Sequence, residues 1–543
     1  MKKIFVVIIL FLICSFAIFN NYFWLKQDDR PHGTDAPNHL LGQLDFHYRF
    51  SDLLQMPVSV KEKVVNIISL LGQSMFSPHN VYWPNFVYLY SSFFTFIFGV
   101  SLFVTRLTMS GFFIIFIIAV YYLGKIMKDS HTGLLAAFLI SMYPIIFGAS
   151  RQYGLDFPLT AMTTITILFL ILSNGFTNTG CSLLAGICLG FGSLIKGQII
   201  LFLFGPLVVT ALCLFQKGSN LRKILNFYLF TISCILISII WWNKGRFALM
   251  VYNLKLHISL YLKGREGSFP GETYSLAYFT WHLGEMAFSS LGIFFFGIFF
   301  LSLIHFLRSK AENKSILLLW LLVPFFLFSA AFVVKDGRFL MPVFPAVALI
   351  SAYGISGINN LRLKAAVICC IVVFGLSAFF TLSYNEKFYH RLYAPESLPG
   401  LSMARIARVI MGKSGYNWFL GKNSQAALLI GEIADKASAD NPALAPVYIG
   451  TIYAAPKIPY LSPLQLSYRL RLVGRHLYTI DSVENKAEFF EKAANFSYLL
   501  FIADDQKAAP RRERVFEDFS LSLQKSFSEG YHVYNTYLYK RKK

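Results

Sequence analysis

Charge is what this chain has least of. Only 14% of its 543 residues are charged, against 56% hydrophobic and 17% aromatic, whereas soluble domains carry about 25% charged residues. That scarcity excludes an ordinary soluble protein. Cysteine is missing after position 370. The seven stand at 14, 181, 188, 213, 234, 369 and 370, all within apolar runs, which excludes a disulfide-stapled C-terminal part. No long basic tract or basic helix accompanies the net charge of +21, so no nucleic-acid partner is expected. There is neither a Gly-x-Ser-x-Gly elbow nor a phosphate-cradling glycine loop, so a hydrolase triad or a nucleotide site has little support. His32, His39, His47 and His79 match no compact ligand spacing, so no metal and no cofactor are expected.

What the chain has in abundance is apolar runs of membrane length. They recur from Ile4 to Ser383, and about 20 apolar residues cross a hydrocarbon core of about 30 Å. The sequence predicts a polytopic α-helical membrane protein with about 11 spans, at 4–24, 105–124, 131–148, 157–173, 180–195, 198–215, 224–242, 284–306, 315–334, 338–357 and 364–383. The first is read as an uncleaved anchor, because no small-x-small site follows it. The run Trp83–Phe98 is apolar but short, bounded by Pro84 and Gly99, and rich in aromatics. It is read as a helix at the outer interface. Gly186 and Gly190 suit close helix packing.

Parity decides that reading. With eleven spans and Lys2 and Lys3 inside, Lys125/Lys128, Lys217/Arg222/Lys223, Arg308/Lys310/Lys314 and Arg362/Lys364 all fall inside, as the positive-inside rule requires. A span at 83–98 would turn every one of them outward. The first outer loop is then 25–104, the second large one 243–283, and the tail after 383 is outside. Three short outer turns break the charge rule: Arg151–Asp156, Lys196-Gly197 and Lys335–Arg338. Cations there suit an anionic ligand at the outer face; snorkelling to headgroups is the plainer alternative.

From about Tyr384 the composition turns mixed, and the rest, 384–543, suits a soluble α/β domain. Helices are expected at 399–412 and 483–495. Strands are expected at 426–430, 446–449, 477–480, 498–502 and 531–534.

Of the thirteen acids before position 384, only Asp129 and Glu312 fall inside. Any general base at the outer face is among the other eleven. Asp35 is chosen: it stands just past the first span, and Pro37 suits a helix first turn there. A half-sheltered carboxylate can accept a hydroxyl proton; helix capping is the alternative role. His39, four residues on, shares its face if the turn is helical, and can orient Asp35 or donate to a phosphate.

The order of these features resembles a family. An Asp in the first outer loop is followed by an aromatic-Pro segment and Arg106-Leu107. Then come Arg-x-Tyr-x-Leu-Asp-x-Pro-Leu at 151–159, Leu194-Ile-Lys-Gly197 and Lys335-Asp-Gly-Arg-Phe-Leu-Met-Pro-Val-Phe-Pro345. Together they resemble the C-type membrane glycosyltransferases, in the branch of the protein O-mannosyltransferases and the lipid A aminoarabinose transferase, over residues 1–383. The resemblance implies a polyprenyl-phosphate-linked sugar as donor, a lipid, glycan or protein hydroxyl as acceptor, and an outer-face site in a cell inner or plasma membrane. It implies Asp35 as the catalytic residue and Asp156 as the second-loop acid. Arg151, Lys196, Lys335 and Arg338 become donor-phosphate candidates; His39, by its spacing from Asp35, and Tyr153, within the 151–159 motif, are expected beside them as substrate-binding residues. Fixed cations stabilise the leaving phosphate, and a base on the far side of the sugar gives inversion. The loop 243–283, with Lys255, His257, Lys263, Arg265 and Glu266, is placed to close over the site. A transporter or flippase, or a polymerase or ligase of lipid-linked glycans, is the alternative; a transporter would need charge deep in the bundle or inverted repeats.

Overall fold

The computed structural model describes residues 3–28, 36–73, 83–215, 221–242, 246, 255, 275–332, 335–385, 429–430, 432–433, 435–436, 447–453, 477–481, 498–504, 519–529 and 532–541. The described part up to residue 385 is helical. In order come α1 (Lys3–Gln27), α2 (Ala36–Gln55), α3 (Val60–Leu71), α4 (Phe86–Phe98), α5 (Leu102–Leu107), α6 (Met109–Met127), α7 (Ser130–Met142), α8 (Pro144–Ala149), α9 (Asp156–Leu172), α10 (Thr179–Ser193), α11 (Ile199–Leu212) and α12 (Leu221–Ser238). Helices Leu276–Glu285, Ile293–Arg308, Lys314–Ala331, Phe344–Ser356 and Leu361–Tyr384 follow.

Among the described residues six helical stretches are long and apolar enough to cross a membrane: Lys3–Gln27, Leu102–Met127, Leu221–Ser238, Lys314–Ala331, Gly337–Ser356 and Leu361–Tyr384. The chain is therefore a polytopic α-helical membrane protein. Shorter apolar helices are α4, α7, α9, α10, α11 and Ile293–Arg308. Each span range expected from the sequence overlaps one of these helices. The 13 residues of α4 rise only about 20 Å, short of a hydrocarbon core.

Small residues let the helices approach. A methyl on Gly133 would collide with the Tyr121 carbonyl oxygen of α6, and one on Gly186 with that of Phe230 in α12. Gly190 meets Cys234 and Ile237 of the same helix. The spacing of Gly186 and Gly190 is thus a packing device, in keeping with its reading from sequence.

The chain's polar groups collect at the two ends of this bundle. At one end Asp129 caps α7 through Thr132 N, 2.8 Å away, Thr132 Oγ1 donates to Ser356 Oγ at 3.0 Å, and Lys364 Nζ donates to the Ser356 carbonyl at 2.9 Å. Lys128 lies over the Tyr353 ring. At the other end, where α8 finishes and α9 and the Gly337–Val343 3-10 turn begin, are Arg106, Arg151, Asp156, Lys196 and Arg338.

The described tail residues contain a five-stranded sheet of β1 (Val447–Tyr453), β2 (Leu477–Asp481), β3 (Tyr498–Asp504), β4 (Phe519–Glu529) and β5 (His532–Arg541), in the order β2-β1-β3-β5-β4. β1 pairs in parallel with β2 and β3; β5 is antiparallel to β3 and β4. Four strands overlap expected ones. The fifth expectation, 426–430, is overturned where it is described: Leu429 and Ile430 are helical. Leu429, Ile430 and Ile433 are all buried, a helical spacing, and Ala and Leu favour helix over strand. β4 was not anticipated, although Phe519, Leu521 and Leu523 alternate with serines. The expected helices 399–412 and 483–495 lie outside the described residues.

Candidate active site

Helix α2 builds the first wall. It opens at Ala36 with Pro37 in its first turn, where a missing amide hydrogen costs nothing and φ is already helical. His39, Gln43 and His47, spaced by four, present one polar stripe. That stripe lies against α4. His39 Nδ1 is 2.9 Å from the Tyr88 hydroxyl, Gln43 Nε2 donates to Thr95 Oγ1 at 3.2 Å, and His47 Nδ1 meets the same oxygen at 2.8 Å. The stripe explains why so polar a helix as α2 is largely buried: its groups are paired across the interface.

At the start of that stripe is a cleft of about 40 Å³, lined among others by Ala36, His39, Tyr153, Asp156, Arg338 and Met341. It has room for a few waters. Asp156, just outside the span expected at 157–173, is its electrostatic centre. Lys196 Nζ donates to Asp156 Oδ1 at 2.7 Å, and Arg338 Nε lies 3.8 Å from Oδ2. Arg338 is also paired with Asp336 at 2.9 Å. Lys196 lies over the Trp83 ring, 4.9 Å from its centroid. Burial pushes the Asp156 carboxyl up, but Lys196 and then Arg338 outweigh it and hold the group below the usual carboxylate range. Two carboxylates thus hold two cations in place. Tyr153 is anchored by its own hydroxyl, which donates to Ser91 of α4 at 3.0 Å.

Arg151 is placed elsewhere. Its backbone carbonyl accepts from Arg106 Nε, and its guanidinium donates to Asn21 and Asn20 of α1 and to Ser383 at 3.1, 2.9 and 2.9 Å. It stacks against Trp24, Phe147 and Phe379 and is fully buried. Arg106 itself pairs with Asp28 at 2.9 Å, both side chains 1% exposed. This is a polar clasp joining α1, α5 and the end of the last helix.

Lys335 also faces away from Asp156. Its ammonium donates to the Phe328 and Ser329 carbonyls at 3.0 and 2.6 Å and lies 3.8 Å from the Tyr278 ring centroid. It caps the C-terminal end of Lys314–Ala331, where helix carbonyls favour a cation. Burial nevertheless pulls its pKa down to about 8, and burial together with the Lys335 charge pulls nearby His282 down to about 3. The sign of the consequence is fixed. The unfolded lysine titrates near 10.5, so between pH 8 and that value the unfolded chain binds more protons, and stability rises with pH. The wild-type melting temperature is expected to gain on that of Lys335→Met as pH rises from 8 to about 10, read by thermal melting of both proteins across that range.

The structure therefore brings His39, Tyr153, Asp156, Lys196 and Arg338 together and sets Arg151 and Lys335 apart from them. Asp35 lies outside the described residues; Ala36, its neighbour in sequence, lines the cleft. Of the loop 243–283, residues 243–245, 247–254 and 256–274 lie outside them too. Tyr88 and Ser91 were not anticipated, and their only signal was the spacing of polar groups along an otherwise apolar α4; Trp83 was singled out only as part of the aromatic-Pro segment. Among the described residues no three His, Cys, Asp or Glu side chains gather as metal ligands.

The fold is shared with solved membrane enzymes at low sequence identity. The chain is similar to ArnT from Cupriavidus metallidurans, in the apo state and bound to undecaprenyl phosphate, with TM-scores of 0.60 and 0.59 at 13% identity. Those matches cover 98% of this chain and 97% of ArnT. The mycobacterial arabinofuranosyltransferase AftD is similar at a TM-score of 0.51 and 12% identity, over 98% of this chain and 40% of AftD. The apo oligosaccharyltransferase of Archaeoglobus fulgidus is similar at 0.50 and 14%, over 92% and 70%. Residues 84–242 match the family described as dolichyl-phosphate-mannose-protein mannosyltransferase. No curated protein sequence matches the chain.

Proposed function

We propose that this protein moves a sugar from a polyprenyl-phosphate carrier to a hydroxyl of an envelope lipid, glycan or protein, at the outer face of a cell inner membrane. The observation that carries the reading is the Lys196–Asp156–Arg338 group in a cleft lined by His39 and Tyr153, within a fold of this class. We take the chain to cross the membrane eleven times, with α4 at the interface, because that count keeps the basic loops inside. The sheet-bearing tail is then extracytoplasmic, as a soluble domain.

The chemistry follows from the charges. The anomeric C–O bond breaks and its electron pair leaves with the phosphate. Lys196 and Arg338 are positioned to take that charge, and in the absence of donor the two carboxylates Asp156 and Asp336 keep them aimed and neutralised. Cations already oriented in a poorly hydrated cleft stabilise developing charge without reorganisation. The acceptor oxygen attacks from the opposite side, inverting the anomeric carbon, and its proton passes to Asp35. No metal is part of this proposal. Arg151 and Lys335 serve as framework, since their donors are committed to α1, Ser383 and the helix end at Ser329.

The test is reconstitution of the full chain in vesicles with labelled polyprenyl-phosphate sugars and envelope lipid extract. Release of free polyprenyl phosphate with appearance of glycosylated acceptor is expected. Carrier that changes leaflet with its sugar still attached would replace this reading by a flippase. Mass spectrometry of envelope lipids and glycans with and without the protein then names the sugar.

A further inference from the structure

We propose that α3 lies flat in the outer leaflet, with Val60, Val64 and Ile68 among the acyl chains, and so moors the layer of α2 and α4 to the membrane. The choice of leaflet follows the eleven-span reading; the contact with lipid does not.

α3 has 12 residues and rises about 18 Å, too little to cross a hydrocarbon core of about 30 Å. Both its ends are closed by the chain itself. At the start, the Ser59 hydroxyl accepts from the Glu62 amide while the Glu62 carboxylate accepts from Ser59 N at 2.9 Å, a capping box. At the finish, Asn85 Nδ2 donates to the Gln73 carbonyl at 2.6 Å. Leu70 and Leu71 bury the last turn in the core. One side of the helix nevertheless has no protein against it. Val60 is 78%, Val65 56%, Val64 50% and Ile68 45% exposed. Val60, Val64 and Ile68 stand four apart and form one row, with Val65 beside it. Glu62, Asn66 and Ser69 form a polar row across the helix. An apolar row backed by a polar one, on a helix too short to span, is the pattern of a helix lying in a membrane interface. Lys61 falls within the apolar arc and fits there, because a lysine stem lies along apolar surface and carries its charge up to the headgroups.

The position of α3 in the fold names the bilayer as its cover. Gly72, which closes the helix, lies so near the Ile240 carbonyl that a methyl there would collide with it. Ile240 stands two residues past α12, one of the helices long and apolar enough to cross a membrane. Ile232, Ile235, Leu236 and Ile239 of that segment are exposed and make a wall for lipid. α3 thus ends where this wall reaches the membrane surface, a depth at which acyl chains match an uncovered apolar row. Asn85, which holds the end of α3, is two residues from Trp83, the ring over which Lys196 lies. The mooring therefore acts close to the cleft.

The experiment places the full chain in nanodiscs of phosphatidylethanolamine and phosphatidylglycerol. A nitroxide is attached through a genetically encoded ketone residue at position 60, 62, 64, 66, 68 or 69, one per variant, so that the seven cysteines stay in place. Oxygen concentrates among acyl chains, whereas a nickel chelate stays in water. Their relaxation effects should follow the 3.6-residue period, with oxygen dominant at 60, 64 and 68 and nickel at 62, 66 and 69. Nickel dominant at 64 and 68 would put the row in water and overturn the proposal. Little access of either agent at those positions would mean a protein cover, the tail or a second copy, and would overturn it equally. A second measurement needs no substitution. Phosphatidylglycerol with a diazirine in its acyl chain should crosslink the unaltered protein within 60–68. Crosslinks that mark α12 but spare α3 would overturn the proposal. Neither readout passes through transfer, so failure of the sugar-transfer reading would leave both results standing.

Discussion

Arg106→Met is expected to lose about 3–5 kcal/mol of stability, the cost of leaving one member of a buried ion pair without its partner. Asp28, 1% exposed, would then lose its ion pair with Arg106, and the Arg151 carbonyl would lose the hydrogen bond from Arg106 Nε. The loss should appear as a large fall in melting temperature and in the monodisperse fraction after detergent extraction. The double variant Arg106→Met with Asp28→Leu tests the reason. Removing both charges spares their desolvation, so most of the stability should return. A double variant as unstable as the single one would mean that the arginine matters through its contacts with Trp24 and the Arg151 carbonyl rather than through charge.

Asp35→Asn is expected to lower transfer by about 10²–10⁴-fold, the usual contribution of a general base, with the melting temperature unchanged. Asn keeps the size and the hydrogen-bonding reach of the carboxylate but cannot accept the acceptor's proton. Asp35→Glu should recover part of the rate, because the base survives in a slightly displaced position. Transfer by Asp35→Asn at the wild-type rate would move the base elsewhere, and Asp156 is then the next carboxylate to test. That residue is the weaker choice because Lys196 and Arg338 hold its pKa low, which makes it a poor proton acceptor.

Much of the membrane part was legible because its code is simple. Apolar runs marked the helices, and the scattered cations of 151–156, 196 and 335–338 marked one end of the bundle. Which cations meet was not legible. Arg151 and Lys196 look alike in the sequence, each a base at a span end, yet one is locked against Trp24 and Ser383 and the other reaches Asp156. That choice depends on which helices are neighbours, a long-range property that no local pattern carries. Tyr88 was hidden for a related reason: inside so aromatic a run, its hydroxyl gains meaning only from the stripe of α2 opposite. In the tail, short strand-like runs marked four of the strands, whereas the similar run at 426–430 misleads because its alanines and leucines favour helix.

The clasp around Arg151 also has a consequence for how the protein is made. It ties Asn20 and Asn21, near the start of the chain, to Ser383 and Tyr384. Until the segment with Ser383 has reached the membrane, Arg151 lacks Ser383 as a partner and is held to the first helix through Asn20 and Asn21. Insertion of the membrane part is thus closed by a latch between its first and last helices, and a product terminated before Ser383 would lack that bond.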